Sequence, residues 1–193
     1  MNTEKIKSIF HQRRSIRRFQ QKPISNSILK ECVNCARLSP SGKNLQPLEY
    51  IVVTDSSLRK KLFSCLHWAG YLPSWQPSED EQPMAYIVLI SSKKKEGLVA
   101  YDVGIASAHI VLFAETNDIG SCILLNIDKK RIEQMLNLPD SHQIEGVIAL
   151  GFKKENPVIE DDEHNKEYWF DEKQVLHVPK RPLDNVFHEQ RYG

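Results

Sequence analysis

The first two runs of apolar positions have the spacing of amphipathic helices. One follows Thr3, which we expect to cap a short helix ending at Phe10. From Ser27 to Leu38, apolar residues recur three and four positions apart, at Ile28, Leu29, Cys32, Val33 and Ala36. That spacing places them on one face of a helix, and Pro40 ends it. The segment 67–82 is rich in proline, tryptophan and acidic residues and is predicted to be an irregular excursion.

Short β-branched runs indicate strands in the middle of the chain. They lie at residues 48–54, 85–90, 119–125 and 144–150. Asp55 is placed to cap a helix over 57–66, and Asp128 to cap another that runs to Leu138, before Pro139. Helices and strands alternate without a strict βαβ rhythm, and two helices come before any strand. The predicted fold class is therefore α+β, with a sheet covered by helices.

Two features of the pattern point to a partner subunit. The segment from Tyr101 to Thr116 is apolar on nearly all sides, and a helix of that kind must be buried all round. The tail from Asn156 onward is polar, with few core residues before 175–178. We expect that the tail cannot fold on itself and wraps another copy of the chain.

Composition narrows the class of protein. A length of 193 residues fits one domain, residues 1–193, with a full core. The formal net charge of +1 gives little long-range attraction to nucleic acid or acidic membranes, so neither is an expected partner. The chain has no apolar run of roughly 18 residues and no signal-like apolar start. We therefore expect a cytoplasmic protein whose cysteines are free thiols.

The densest chemistry lies in an arginine cluster. Arg13, Arg14 and Ser15 offer paired N–H donors and a hydroxyl, a set suited to a phosphate group. Lys180 and Arg181 could complete that site from the tail. A solvated basic turn is the alternative.

Arg17 follows Ser15 by two positions. On an extended backbone it projects to the same side as Arg13 and Ser15. A fixed positive charge there could stabilise the N1–C2–O2 edge of a reduced flavin. A surface ion pair remains the other interpretation.

A second polar segment, residues 39–47, is rich in turn formers. Its proline and glycine residues can leave backbone N–H groups free of strand pairing. Asn44 and Gln46 offer both donors and acceptors, which match the mixed edge of a flavin ring. An ordinary helix-to-strand loop is equally compatible with this segment.

The other motifs in the sequence give little indication of function. Cys32 and Cys35 form a C-x-x-C, but both fall inside a predicted helix, so packing explains them better than redox chemistry. No second C-x-x-C, H-E-x-x-H, P-loop, G-x-G-x-x-G or G-x-S-x-G is present. The acidic run 161–163 is interpreted as a solvated charge run, and no metal site is predicted.

Taken in order, five segments resemble those of the nitroreductase family of flavoproteins. They are R-R-S-I-R-R-F, S-P-S-G-K-N-L-Q-P-L-E-Y-I-V-V, D-V-G-I-A-S-A-H-I-V-L-F-A-E, I-G-S-C-I-L-L-N-I-D and P-K-R-P-L-D-N-V. The resemblance implies an intertwined α+β homodimer with a central mixed or antiparallel sheet covered by helices, and with two flavin mononucleotide (FMN) sites at the subunit interface. It spans nearly the whole chain.

The resemblance also implies roles for particular residues. Arg13, Arg14, Ser15 and Arg17 of one subunit, with Lys180 and Arg181, would contact the phosphate and the ring edge. The partner would supply Pro40, Ser41, Gly42 and Asn44, and the flavin N5 would lie beside Leu124, Leu125 and Asn126. No dedicated catalytic acid or base is expected, because the flavin carries the chemistry.

The function implied is an FMN-dependent oxidoreductase. It would take hydride from NADH or NADPH and reduce a small aromatic acceptor, such as a nitroaromatic or a quinone, in a ping-pong cycle. The same fold also serves reductive dehalogenation and flavin fragmentation, which stay open as alternatives. A non-enzymatic flavin- or anion-binding dimer is the third possibility.

Overall fold

The computed structural model describes residues 2–94 and 97–192. Its described part contains five α-helices, whose first turns are mostly capped by a polar side chain. Asn2, not Thr3, caps the first helix, whereas Asp55 and Asp128 cap theirs as predicted. The helices are α1 (Thr3–Gln12), α2 (Asn26–Arg37), α3 (Ser56–Phe63), α4 (Val99–Glu115) and α5 (Lys129–Met135).

Eight strands complete the secondary structure of the described residues. The four predicted strands are all present, and the last of them is longer than the sequence indicated. The strands are β1 (Phe19–Gln20), β2 (Leu48–Val53), β3 (Ala85–Ser92), β4 (Ile119–Leu124), β5 (His142–Lys153), β6 (Val158–Asp161), β7 (Trp169–Phe170) and β8 (Leu176–Lys180). Residues 67–82 are irregular apart from a short 3-10 turn at Glu79–Glu81.

The main sheet is antiparallel and is organised around β5. That strand pairs with β1, β3 and β4, and β3 pairs in turn with β2. The predicted α+β class is thereby confirmed. In the part of the chain that the structure describes, no helix is long and apolar enough to cross a membrane.

The core has two halves, one on each face of the sheet. Strand β3 is therefore buried on both faces. Tyr86, Val88 and Ile90 belong to one hydrophobic cluster, which includes residues of α3 and α5. Ile87 and Leu89 belong to the other, with residues of α2 and α4. A strand buried on both faces contains a continuous apolar run, which is the pattern of 85–90.

Helix α4 is buried along one side only within a single chain. Ala106, Ile110 and Ala114 face the core. Tyr101 is 68% exposed, and Gly104 and Ala108 are also exposed. The expectation of all-round burial is not met within the chain, because no described element covers this side.

The expectation that the tail cannot fold on itself is wrong. Strands β6, β8 and β7 form a separate three-stranded sheet, in which β6 and β8 run parallel. The strands are short, and β6 pairs with β8 across about 20 positions, as in Val158 with His177, so no local pattern indicates that pairing. Whether the tail also wraps a partner stays a prediction.

Candidate functional site

The arginine segment is held as extended chain between α1 and β1. The Ile16 N–H donates to the Ser121 carbonyl at 2.8 Å, and the Ile16 side chain is 1% exposed. It lies so close to Gly120 that a Cβ there would come within 2.8 Å of it. Gly120 therefore permits the close approach, and the buried Ile16 leaves its two sequence neighbours, Ser15 and Arg17, to line a pocket on the other side.

This pocket, which we call the arginine pocket, has a volume of about 210 Å³. It brings together residues from the arginine segment and from the tail sheet. The lining residues are Arg13, Arg14, Ser15, Arg17, Tyr168, Val178 and Lys180. The lining includes four cationic side chains and no acidic side chain, so an anion is the ligand that it suits.

Arg14 serves mainly to hold the structure of this segment. Its side chain is buried, and its guanidinium donates to the carbonyls of Phe10 and His11 at 2.9 and 3.0 Å, at the end of α1. Burial and the neighbouring Arg13 lower the pKa of Arg14, and Glu115 opposes this shift. The Nε atom of Arg14 has no hydrogen-bond partner among the described residues.

Arg17 is held at its backbone and at its guanidinium by different groups. Its backbone N–H and that of Arg18 donate to the same carboxylate oxygen of Glu155, at 2.5 and 3.2 Å. The Arg17 guanidinium carbon lies 4.7 Å from the centre of the Tyr168 ring. Burial raises the pKa of Glu155, against the effect of these contacts.

The tail contributes one of its two predicted cations. Lys180 lines the arginine pocket. Arg181 does not line it, and its guanidinium donates to the Asn185 carbonyl at 2.5 Å. Four of the five predicted phosphate contacts, together with Arg17, which was predicted for the ring edge, are therefore gathered at one pocket.

The loop 39–47 lies at a different pocket, one that also contains Asp102 of α4. Ser41 Oγ donates to Asp102 Oδ2 at 2.8 Å, and the Gly42 N–H donates to Oδ1 at 3.1 Å. The Gly42 amide is thus already paired in this chain, contrary to the expectation of a free N–H. Pro40 and Ser41 line this pocket of about 140 Å³, whereas Asn44 is exposed with a φ of 56°.

Sequence reasoning missed Asp102. The available signal was a carboxylate within an otherwise apolar helix, a residue type that is seldom buried without a partner. Asp102 is 6% exposed in the structure.

The segment after β4 lies beside a third pocket, of about 300 Å³. Leu124 is buried and Leu125 is 62% exposed. Asn126 lines the pocket with residues of the 67–82 excursion, and its carbonyl accepts the His67 N–H at 3.1 Å. The pocket is lined by Leu66, His67, Trp68, Gly70, Pro73, Trp75, Gln76 and Asn126.

The excursion is joined to the arginine segment through Arg18. The Arg18 guanidinium lies over the rings of Trp75 and Phe170, at 5.7 and 5.2 Å, and its Nε is 3.7 Å from Glu81. The sequence pattern predicts only an irregular excursion here and no pocket, although Trp68 and Trp75, two large aromatic residues in an irregular segment, were an available signal for one. The role of Arg18 as a link had no local signal, because its partners lie far away in the chain.

Of the cysteine pair, Cys32 is part of the core, whereas Cys35 is only partly buried. Cys32 is fully buried, and burial raises its pKa to about 12. Burial also raises the pKa of Cys35. Reactive cysteines have lowered pKa values, so the predicted packing role fits both residues better than a redox role.

Comparison with known proteins gives the family. The model of the nitroreductase family matches residues 11–80 and 71–152, which include the arginine segment, the loop 39–47 and the segment after β4. The chain belongs to the nitroreductase family. The resemblance inferred from the five sequence motifs is thereby confirmed.

Curated relatives and solved structures extend this result. An NADH dehydrogenase of Thermus thermophilus is 26% identical over 172 residues, covering 74% of this nitroreductase-family chain and 84% of the relative. An iodotyrosine deiodinase of Thermotoga neapolitana is 23% identical over 158 residues, covering 72% and 84%. The fold matches an FMN-dependent nitroreductase from Clostridium difficile R20291 with a TM-score of 0.70 and 24% identity, covering 95% and 98%.

Proposed function

We propose that this chain forms one FMN-binding domain and acts as an NAD(P)H-dependent oxidoreductase. The observation that supports FMN most directly is the arginine pocket, because it offers cationic donors that are not used elsewhere in the chain. The Nε atoms of Arg14 and Arg17 are buried with no hydrogen-bond partner among the described residues. Buried donors are normally paired, so these two atoms fit a ligand that supplies acceptor oxygens.

The arginine pocket suits the phosphate end of the nucleotide. Ligand pockets usually measure ~300–1,000 Å³, so a pocket of about 210 Å³ holds only part of such a ligand. Arg13, Ser15 and Lys180 would bind the phosphate through charge-assisted hydrogen bonds, and Arg17 would contact the N1–C2–O2 edge of the ring. Arg14 would chiefly fix the backbone that carries them.

The ring would lie where residues of two subunits meet. Leu124, Leu125 and Asn126 of one chain would lie beside N5, and the loop containing Pro40, Ser41, Gly42 and Asn44 would come from the partner. Within one chain these groups lie at separate pockets, which supports a shared site. The exposed apolar side of α4 also supports a homodimer, because exposed apolar patches commonly mark protein–protein interfaces.

The chemistry that bound FMN would supply is acceptance of hydride from NADH or NADPH and release of the electrons to a second substrate, in a ping-pong cycle. The chain's own residues bind and orient it, and no side chain is assigned as a catalytic acid or base. Trp68, Trp75 and Pro73 give the third pocket flat apolar walls, which suit an aromatic acceptor such as a nitroaromatic or a quinone. We place the enzyme in the cytoplasm.

Reductive dehalogenation is the second candidate, because one relative is named an iodotyrosine deiodinase. A panel of nitroaromatics, quinones and halogenated phenols, each offered with NADH and with NADPH, separates the two activities. Steady consumption of the nicotinamide with any of these acceptors rules out a non-enzymatic dimer. No consumption with any of them contradicts both enzymatic proposals.

The phosphate assignment is tested by comparing two flavins that differ only in the phosphate. Arg13→Ala should weaken FMN binding by roughly ten- to a hundredfold, since it removes a charged donor, and should leave riboflavin binding unchanged. The measurement is a titration of apoprotein followed by flavin fluorescence, with Lys30→Ala on α2 as the control. Equal FMN binding by Arg13→Ala and the parent would contradict the assignment.

A further inference from the structure

Tyr168 lies beside the arginine pocket, in the connection between β6 and β7. Its ring lines the pocket and faces the guanidinium of Arg17, whose carbon lies 4.7 Å from the ring centre. Neither the sequence motifs nor the family match, which ends at residue 152, gives this tyrosine a role. The contact is therefore a separate observation about this chain.

The Tyr168 ring is itself held in place by the excursion. Its hydroxyl accepts the Tyr71 N–H at 3.4 Å. The two tyrosine rings also meet edge to face, with centroids 5.1 Å apart. Tyr168 thus contacts Arg17 on one side and residue 71 on the other, so it does not depend on the arginine for its own position.

An aromatic ring restrains an arginine without using its donors. A carboxylate that oriented Arg17 would accept its N–H groups and neutralise its charge. A ring face attracts the cation through its quadrupole, and the donors in the guanidinium plane stay available for a ligand. The nearby carboxylate, Glu155, accepts backbone N–H groups in this structure. The Arg17 Nε remains without a partner among the described residues.

We propose that Tyr168 is a positioning residue, which holds the Arg17 guanidinium ready for the N1–C2–O2 edge of the bound flavin. The inference rests on the proposed function, because it assumes that FMN is the ligand of the arginine pocket. It assigns to Tyr168 an effect on flavin affinity that is exerted through Arg17. Direct contact between Tyr168 and the flavin is not part of it.

The first test measures FMN affinity, which does not require turnover. Apoprotein is titrated with FMN and binding is followed by flavin fluorescence. Tyr168→Leu removes the ring and should weaken binding by roughly two- to thirtyfold, the range of a cation–π contact. Tyr168→Phe keeps the ring face and should bind within twofold of the parent. Tyr192→Leu, the same change at a tyrosine that is 92% exposed, should also leave the affinity unchanged.

The second test asks whether Tyr168 acts through Arg17. If it does, the double variant Arg17→Ala/Tyr168→Leu should bind FMN no more weakly than Arg17→Ala alone, because interacting residues are not additive. Additive losses would mean that Tyr168 contacts the flavin independently and would overturn the proposal. Parent affinity in a folded Tyr168→Leu variant would overturn it too.

A variant that does not fold and a parent that binds no FMN have different meanings. If Tyr168→Leu does not fold, as judged by circular dichroism, the Tyr168→Trp variant takes its place. Its larger ring face should give parent affinity or better, and weaker binding by both the folded Trp and Phe variants would contradict the proposal. If the parent itself binds no FMN, it is the proposed function that fails.

Discussion

At the scale of single residues, the arginine cluster divides into groups with different tasks. Arg13, Ser15 and Arg17 line the arginine pocket, whereas Arg14 spends its terminal donors on the end of α1. Arg18 instead contacts Trp75 and its neighbours. The four arginines within residues 13–18 therefore do not form one uniform binding surface. Substitutions at each of them should affect flavin binding and stability to different extents.

Stability measurements should separate Arg14 from Arg13. Arg14→Ala removes charged hydrogen bonds from a buried site and should lower the free energy of unfolding by ~1.5–3 kcal/mol. Arg13→Ala, at a partly exposed position of the same segment, should lower it by less than about 0.5 kcal/mol. Urea unfolding of the two apoproteins provides the comparison. Similar values for both variants would show that the carbonyl contacts of Arg14 contribute little.

At the scale of elements, the tail sheet positions Lys180, the last residue of β8, at the arginine pocket. His177 in β8 contacts a carboxylate oxygen of Glu160 in β6, and its Nε2 is 3.4 Å from Asp171 after β7. Trp169 stacks on its ring at 5.1 Å. The strands are short, so these side-chain contacts carry much of the cohesion of the sheet.

The stability of this sheet should depend on pH through His177. Glu160 first, and then Asp171, raise the pKa of His177 above its ordinary value of 6.5. The stabilising charge is therefore fully present below pH 6.5 and is lost as the pH rises through the raised pKa. Unfolding of the parent and of His177→Gln, followed between pH 6 and pH 9, checks this. The parent should lose stability over that interval relative to the variant, and parallel curves would contradict the assignment.

At the scale of the whole molecule, the described part of one chain leaves apolar surface exposed and keeps the groups of the proposed flavin site apart. Tyr101, Gly104 and Ala108 lie on the uncovered side of α4. The loop 39–47 and the arginine pocket lie apart within the chain. A homodimer that packs α4 against the partner's α4 would cover this apolar side. It could also bring the loop 39–47 of one chain to the arginine pocket of the other.

A charge placed on the uncovered side of α4 should prevent dimer formation. Ala108→Glu puts a carboxylate in the middle of that side, where burial without a partner is strongly unfavourable. We expect a monomer by light scattering coupled to size exclusion, together with loss of FMN binding. Lys30→Glu, an exposed change on α2, should remain dimeric. A dimeric Ala108→Glu that retains FMN would show that this side of α4 is not the interface.

The sequence by itself determined the features that depend on near neighbours. The spacing of Leu29, Cys32 and Ala36 gave the face of α2, Asp128 gave the start of α5, and the apolar run 85–90 gave the central strand β3. Alternation along extended chain put Arg13, Ser15 and Arg17 on the same side. The five motifs, in order, were enough to identify the family. Periodicity and capping involve residues only a few positions apart, so they can be recognised in the sequence itself.

Only the tertiary structure decided which distant groups meet. Asp102 fixes a loop about 60 residues away, Tyr168 faces Arg17 across the pocket, and strand β6 pairs with β8. Each of these contacts brings together positions that are far apart in the chain. No local pattern records such a pairing, because its free energy arises only when the folded backbone has placed both partners side by side.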